Sequence, residues 1–225
     1  MNIPQPLTPQ ADPRSSFRSE RPEAVNVLRW QDECAAAAVL AGAFVDDPLV
    51  MAICPGPPVE RQRRIGWSFR VAVRGHCLAR QPGWTIVDAD GPPVAVVLAI
   101  RPHPGPQSNS DLLFAMRSLL RVGLGVAIRG SRAAQIIAAH APAQPFTYLR
   151  TLGVDPPWQG RGFGSRLVEW VIQSAPAAFP IYLETAKEAN LAFYERHGFS
   201  CKGQFSCLGI RVWRLLRPAA DGSVV

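Results

Sequence analysis

The chain has 225 residues, of which 48% are hydrophobic, and a formal net charge of +7. This length suits one domain with an ample core, and five cysteines without metal-ligand spacing favour reduced thiols over a disulfide or zinc framework. The arginines are scattered without interleaved aromatic residues, which argues against nucleic acid as a partner and favours a small anionic ligand.

Residues 1–23 are rich in Pro, Ser and Gln and show no periodicity, so they are expected to form a disordered leader. A single domain is expected over 24–218, followed by a flexible tail at 219–225. The leader lacks the apolar core of a signal peptide, and no apolar run reaches the roughly 20 residues that span a membrane. These features predict a cytoplasmic protein without a membrane partner; a homodimer is one oligomeric state that the sequence leaves open.

The first half of the chain alternates helical and strand patterns. A short strand, "AVNVLRW", precedes an alanine-rich helix that is expected to break at "DDP", because a residue before proline avoids helical geometry. The stretch "VERQRRIGWSFRVAVRGHCLA" predicts a further helix, with a solvated face of arginines: Arg61, Arg63, Arg64, Arg70 and Arg74. Two strands around "GP" then predict a hairpin, and residues 108–140 predict an amphipathic helix or helix pair.

The second half begins with the strand "FTYLRTLGV", a glycine-rich loop and the helix "SRLVEWVIQSA". The strand "IYLET" and the helix "EANLAFYERHGF" follow, and the helix is expected to stop at Gly198. Two strands around a glycine close the chain. This order predicts an α/β fold around a mixed sheet.

Three alternating glycines mark the loop between the strand and the helix. Gly160, Gly162 and Gly164 follow two rigid prolines, and Arg161 adds a positive charge. Unpaired N–H groups at a helix start attract anions, and glycine allows close approach of a ligand to the backbone. The loop therefore indicates phosphate binding, while an ordinary turn with glycines for close packing is the alternative.

Two familiar phosphate loops do not fit this sequence. A Walker A loop requires a lysine that is absent here, and a dinucleotide fingerprint requires GxGxxG directly after the strand. The spacing here is GxGxG, and five residues separate it from the strand.

The pattern Q-x-x-G-x-G, carried by Gln159, Gly162 and Gly164, resembles the acetyl-CoA pyrophosphate loop of the GNAT N-acetyltransferases. The later stretch "YLETAKEANLAFYERHGF" is similar to the next strand and helix of that family. The resemblance covers about residues 146 to 200. Looser likenesses, "FVDDPLV" and "PFTYLRTLGVDP", are shared with the branch that includes puromycin N-acetyltransferase.

The resemblance implies a GNAT-like mixed, mostly antiparallel sheet flanked by helices, whose splayed central strands form an acetyl-CoA cleft. Acetyl-CoA is implied as cosubstrate, with no metal. The implied acetyl-CoA-binding residues are Leu152, Gly153, Val154, Gln159, Gly160, Arg161, Gly162, Phe163, Gly164, Ser165, Asn190, Phe193 and Tyr194. Gly153 within a strand also suggests a bulge or a close ligand.

Two catalytic roles follow from the resemblance and from proton chemistry. Tyr194 matches the family tyrosine that protonates the leaving thiolate. An attacking amine must lose a proton, and Glu184 at a strand end is the preferred base, with His140, Asp46 and Asp47 as other candidates. A capping or salt-bridge role for Glu184 is the alternative.

The implied function is transfer of an acetyl group from acetyl-CoA to a primary amine of a small molecule, by direct attack in a ternary complex. One alternative is an acyl-CoA-binding sensor or interaction module without turnover. Another is a protein N-terminal or lysine acetyltransferase.

Overall fold

A seven-stranded sheet forms the centre of the protein, with the strand order β1-β2-β3-β4-β5-β7-β6. The computed structural model describes residues 24–88, 91–102 and 122–220. The expected leader, residues 108–121 of the expected helical segment and residues 221–225 of the expected tail lie outside this part. The strands are β1 Val25–Val27, β2 Gly83–Val87, β3 Pro93–Ile100, β4 Thr147–Val154, β5 Ile181–Thr185, β6 Ser200–Cys207 and β7 Ile210–Arg217.

The part of the chain that the structure describes contains six α-helices. They are α1 Glu33–Phe44, α2 Pro48–Ile53, α3 Pro58–Leu78, α4 Leu124–Ala139, α5 Phe163–Ser174 and α6 Asn190–Glu195. The expected break at "DDP" is confirmed, because Pro48 begins α2 and the Asp47 carboxylate caps it by accepting from the N–H groups of Leu49 and Val50. Among the described helices, none is long and apolar enough to cross a membrane.

All neighbouring strands pair in antiparallel fashion except β4 and β5, which run parallel. These two strands pair only at Thr147 with Ile181 and at Tyr148 with Tyr182. Strand β4 nevertheless continues to Val154, paired on its other side with β3. The predicted mixed, mostly antiparallel sheet with diverging central strands is therefore confirmed.

Hydrophobic layers cover the two faces of the sheet. Helix α5 packs its buried face, including Leu167 and Val171, against one side of the central strands. Helices α1 and α3 cover the other side, where Leu40 and Val73 pack with Val96 of β3. All five cysteines are free, as predicted.

Gly153 allows α1 to approach β4 closely. A Cβ at this position would lie 2.8 Å from Leu40 Cδ2 and 3.1 Å from Ala43 Cβ, both in α1. The irregularity of β4 lies elsewhere: its register with β3 shifts between Leu98 and Ala99, which pair with Thr151 and Leu149 and leave Arg150 bulged. The suggestion of a bulge at Gly153 is therefore wrong, and helix packing explains this glycine.

The expected solvated arginine face of α3 is only partly correct. Arg63, Arg70 and Arg74 are exposed, and the last two face Glu33 of α1 at 3.2 and 3.9 Å. Arg61, in contrast, is only 6% exposed. Its Nη2 donates to the Gly56 carbonyl oxygen in the turn before the helix, so this arginine helps to hold the α2–α3 connection.

The substitution Gly153→Ala should lower the free energy of unfolding by about 1–3 kcal/mol, because the new methyl group overpacks the interface between α1 and β4. Gly75→Ala in α3 is the matched control, since a Cβ there meets nothing within 4 Å. That change should stabilise by about 0.5–1 kcal/mol through helix propensity. Urea unfolding of both variants measures the difference, and equal effects would contradict the packing argument.

Candidate active site

The glycine loop leads from β4 into α5 through a short turn at Pro156–Trp158. Gly162 occupies the N-cap position with φ +84°, in the left-handed region that favours glycine, and no side chain of the described residues caps the helix. The first N–H groups of a helix have no partner within it, and the helix dipole adds partial positive charge there. The start of α5 can therefore receive an anion.

Two side chains of the loop support it from outside. The Arg161 guanidinium lies 4.5 Å from the centre of the Trp158 ring, and its Nη2 donates to the Pro157 carbonyl oxygen at 3.3 Å. The Gln159 side-chain amide donates to the Val154 carbonyl oxygen at 3.0 Å. Gln159 therefore ties the loop to the end of β4, while Arg161 places a positive charge at the loop surface.

The two motif blocks of the sequence come together at the start of α5. A Cβ on Gly164 would lie 3.5 Å from the Phe193 ring of α6 and 3.8 Å from Val154. The Asn190 side-chain amide donates to Thr185 Oγ1 at 3.0 Å, which joins α6 to the end of β5. Phe163 is buried in the core, 6.0 Å from the Trp158 ring.

Glu184 lies on β5, beyond the point at which β4 and β5 separate. Burial raises the pKa of its carboxyl group to about 7, and hydrogen bonding with Tyr148 and Tyr182 partly opposes that rise. Its Oε1 is buried and has no hydrogen-bond partner in the part of the chain that the structure describes. A carboxyl group that titrates near neutral pH is suited to accept a proton from an amine.

Tyr148 and Tyr182 are site residues that sequence reasoning missed. They face each other across the last pair of β4 and β5, with ring centres 6.1 Å apart. Burial, and next the charge of Glu184, raise the pKa of each hydroxyl group, so both stay protonated donors. The signal was available in "IYLET", because Tyr182 and Glu184 are two residues apart and share one face of the strand.

The other candidate bases have different surroundings. Asp46 is exposed. Asp47 is buried and caps α2. Burial raises the pKa of its carboxyl group, and the backbone N–H of Val50 and then the charge of nearby Lys187 partly lower it. The His140 ring stacks on Phe205 with centres 4.1 Å apart, and its Nδ1 lies 2.8 Å from the Ile136 carbonyl oxygen. These contacts give Asp47 and His140 structural roles.

Tyr194 is buried in α6 within the hydrophobic layer under α5. Its ring packs edge-on against Phe193 at 4.9 Å and Phe199 at 5.7 Å. Burial raises the pKa of the hydroxyl group above its usual value of 10. The group therefore carries its proton at neutral pH, as a general acid must.

Comparison with known proteins agrees with this arrangement. The model of the "Acetyltransferase (GNAT) family" matches residues 80–199. The N-alpha-acetyltransferase RimI of Mycobacterium tuberculosis is 44% identical over 86 residues, which cover 35% of this chain and 54% of the relative. The chain thus spans about half the length of this curated relative.

Solved structures share the fold. A Corynebacterium glutamicum structure, described as histone acetyltransferase HPA2 and related acetyltransferase, has a TM-score of 0.68 and 24% identity, and the match covers 89% of this chain and 98% of that one. The Drosophila melanogaster polyamine N-acetyltransferase has a TM-score of 0.53 and 15% identity, with coverage of 87% and 100%. The ribosomal-protein-S18-alanine N-acetyltransferase of Escherichia coli has a TM-score of 0.52 and 15% identity, with coverage of 89% and 96%.

The family model covers more than half of the chain, including the glycine loop, Glu184 and Tyr194. The resemblance inferred from the two sequence motifs is thereby confirmed at the level of the family. This chain belongs to the GNAT family of acetyltransferases.

Proposed function

We propose that the protein transfers an acetyl group from acetyl-CoA to a primary amine. The observation that carries the proposal is Glu184, whose carboxyl group has a pKa of about 7 and stands where β4 and β5 diverge. The anion-receiving start of α5 follows the far end of β4, so the cosubstrate and the amine would meet between the two strands.

The residues present suit acetyl-CoA as cosubstrate. The open N–H groups at the start of α5 would receive the pyrophosphate, with Arg161 adding charge. Beyond Tyr148, β4 has no pairing with β5. Its backbone at Leu152, Gly153 and Val154 would pair with the pantetheine arm, as an added strand does, and would polarise the thioester carbonyl.

The chemistry requires one proton acceptor and one proton donor. An alkylamine has a pKa of roughly 10, so Glu184 would remove the proton that the amine loses as its nitrogen bonds to the acetyl carbon. The carbon–sulfur bond then breaks, and a thiolate departs whose conjugate thiol has a pKa of roughly 8.5. Tyr194 would protonate that sulfur as it leaves.

The proposed acceptor is a small amine, as in the puromycin N-acetyltransferase branch that the upstream sequence resembles. The partial match to RimI, which is named as an N-alpha-acetyltransferase, favours a protein N-terminus as a second candidate. Both acceptors present a primary amine to the same base. A binding module without turnover would release no free thiol from acetyl-CoA with any amine, whereas the proposed enzyme would.

Gly162→Asp should abolish the thermal stabilisation by acetyl-CoA, because a carboxylate at the start of α5 would repel the pyrophosphate. Acetyl-CoA at 100 times its dissociation constant should stabilise the wild type by ~2.7 kcal/mol. Gly162→Asn is the matched control, since asparagine tolerates left-handed backbone without a charge, and it should retain most of the shift. NAD should give no shift. Loss of acetyl-CoA binding in Gly162→Asn would contradict the electrostatic argument, because that variant carries no added charge.

Glu184→Gln should reduce turnover by about 10²–10⁴-fold, because it removes the proposed general base. In the wild type, activity should rise with pH as Glu184 loses its proton around pH 7. When rates are corrected for the fraction of neutral amine, the variant should lack that rise across pH 5.5–8.5, a range of about three units around this pKa.

The raised pKa of Glu184 can also be tested through protein stability, which requires no acceptor amine. The pKa of this carboxyl group is raised from 4.5 to about 7, so the folded state holds its proton more tightly than the unfolded chain. The wild type should lose stability as pH rises from 4.5 towards 7, a loss that Glu184→Gln lacks. The stability of the variant relative to the wild type should therefore increase with pH in this window. A decrease would indicate a salt-bridged or capping carboxylate instead.

Tyr194→Phe should lower turnover by about 10²–10⁴-fold and leave acetyl-CoA affinity nearly unchanged. The substitution keeps the ring that packs against Phe193 and Phe199 and removes only the proton donor. Turnover and thermal stabilisation by acetyl-CoA should be measured on the same preparation. Unchanged turnover would leave Tyr194 with a packing role.

A further inference from the structure

Glu184 and Arg214 form a directly opposed pair on neighbouring strands β5 and β7. Directly opposed residues of an antiparallel pair project from the same face of the sheet. Each carries one buried polar atom without a hydrogen-bond partner, Oε1 of Glu184 and Nε of Arg214. The two side chains also form no ion pair with each other within the described part of the chain.

The position of the Arg214 guanidinium is fixed by its other nitrogens. Nη1 donates to the His140 carbonyl oxygen at 3.1 Å, and Nη2 donates to the Lys202 carbonyl oxygen at 3.3 Å. The same His140 oxygen lies 3.5 Å from the Tyr182 hydroxyl group. Gly203 leaves room for the guanidinium, because a Cβ there would lie 3.1 Å from Nη2. The Nε–H is thus fixed in position on the strand that neighbours Glu184.

Buried donors and acceptors rarely stay unpaired, because each loses its hydrogen bonds to water. Only five such side-chain atoms occur among the residues that the structure describes, and two of them belong to this one pair. One of the two is an acceptor and the other a donor. A single small group that offers an N–H to Glu184 and an oxygen to Arg214 would satisfy both.

We propose that Arg214 binds an oxygen of the acceptor, a carbonyl or carboxylate oxygen on the carbon next to the one that bears the amine, while Glu184 receives the amine. This inference rests on the proposed function and specifies its acceptor. The neighbouring strands lie about 4.8 Å apart, so the nitrogen and oxygen of one α-amino carbonyl unit can reach both side chains. Free amino acids, their amides and peptide N-termini contain this unit, whereas simple alkylamines do not.

The test compares kcat/KM for glycinamide, glycine and ethylamine in the wild type and in Arg214→Met. When kcat/KM is corrected for the fraction of neutral amine, the wild type should have a higher value for at least one of the two oxygen-bearing substrates than for ethylamine. Glycinamide tests binding of an amide carbonyl oxygen, and glycine tests binding of a free carboxylate. Arg214→Met should reduce that preference by about 10- to 100-fold, the scale of one hydrogen bond to a charged group. Taking the ratio to ethylamine cancels general losses of activity.

Arg211→Met is the matched control, because Arg211 lies on the same strand and is exposed; it should leave the ratio unchanged. Arg214→Lys keeps the charge but lacks the Nε–H, so it should lose the preference as well. This variant replaces Arg214→Met in the test if Arg214→Met fails to fold. An equal fall for all three amines would overturn the inference and indicate a structural role or a bound water. If acetyl-CoA binds but neither these three amines nor any other amine releases free thiol, the proposed function fails and this inference falls with it.

Discussion

The early separation of β4 from β5 is the constraint on which the site depends. Parallel neighbours in a sheet normally satisfy each other's backbone groups along their length, yet here pairing ends at Tyr148 and Tyr182. The sheet holds together because β4 stays paired with β3 up to Val154, apart from the bulge at Arg150, and β5 keeps its ladder with β7. The two inner edges that remain can pair with an extended ligand, and the side chains beyond the split can reach it.

Helix α1 determines where β4 lies. Small residues on both elements allow the close approach. Gly153 of β4 leaves room for Leu40 of α1, and a Cβ on Gly42 of α1 would lie 3.3 Å from Asp155 Oδ1 and Pro156 Cδ at the start of the glycine loop. Close packing resists small displacements, so the helix holds the strand and the loop entry as one unit. The alanine-rich sequence of α1 thereby helps to position the glycine loop, although no residue of α1 belongs to it.

Local sequence patterns predicted the elements well because each depends on neighbours in the chain. Proline at Pro48, the glycines of the loop and the hydrophobic spacing of α5 act over a few residues. Arg214 could not be found in this way, since its relation to Glu184 depends on strand pairing between β5 and β7. The burial of Arg61 was missed for the same reason: helical periodicity alone does not show what covers one face. Gly153 was recognised as unusual, but its cause, Leu40, is more than a hundred residues away.

Glu184 illustrates how burial and function oppose each other. A carboxyl group near an arginine would ordinarily pair with it and remain ionised at neutral pH. Here the Arg214 guanidinium is held by the His140 and Lys202 carbonyl oxygens instead, and burial keeps the pKa of Glu184 at about 7. The backbone contacts that occupy Arg214 thus leave the carboxyl group hydrogen-bonded with Tyr148 and Tyr182 and not paired with the arginine. The proposed base would have to release and accept a proton in each cycle, which a permanent ion pair with Arg214 would hinder.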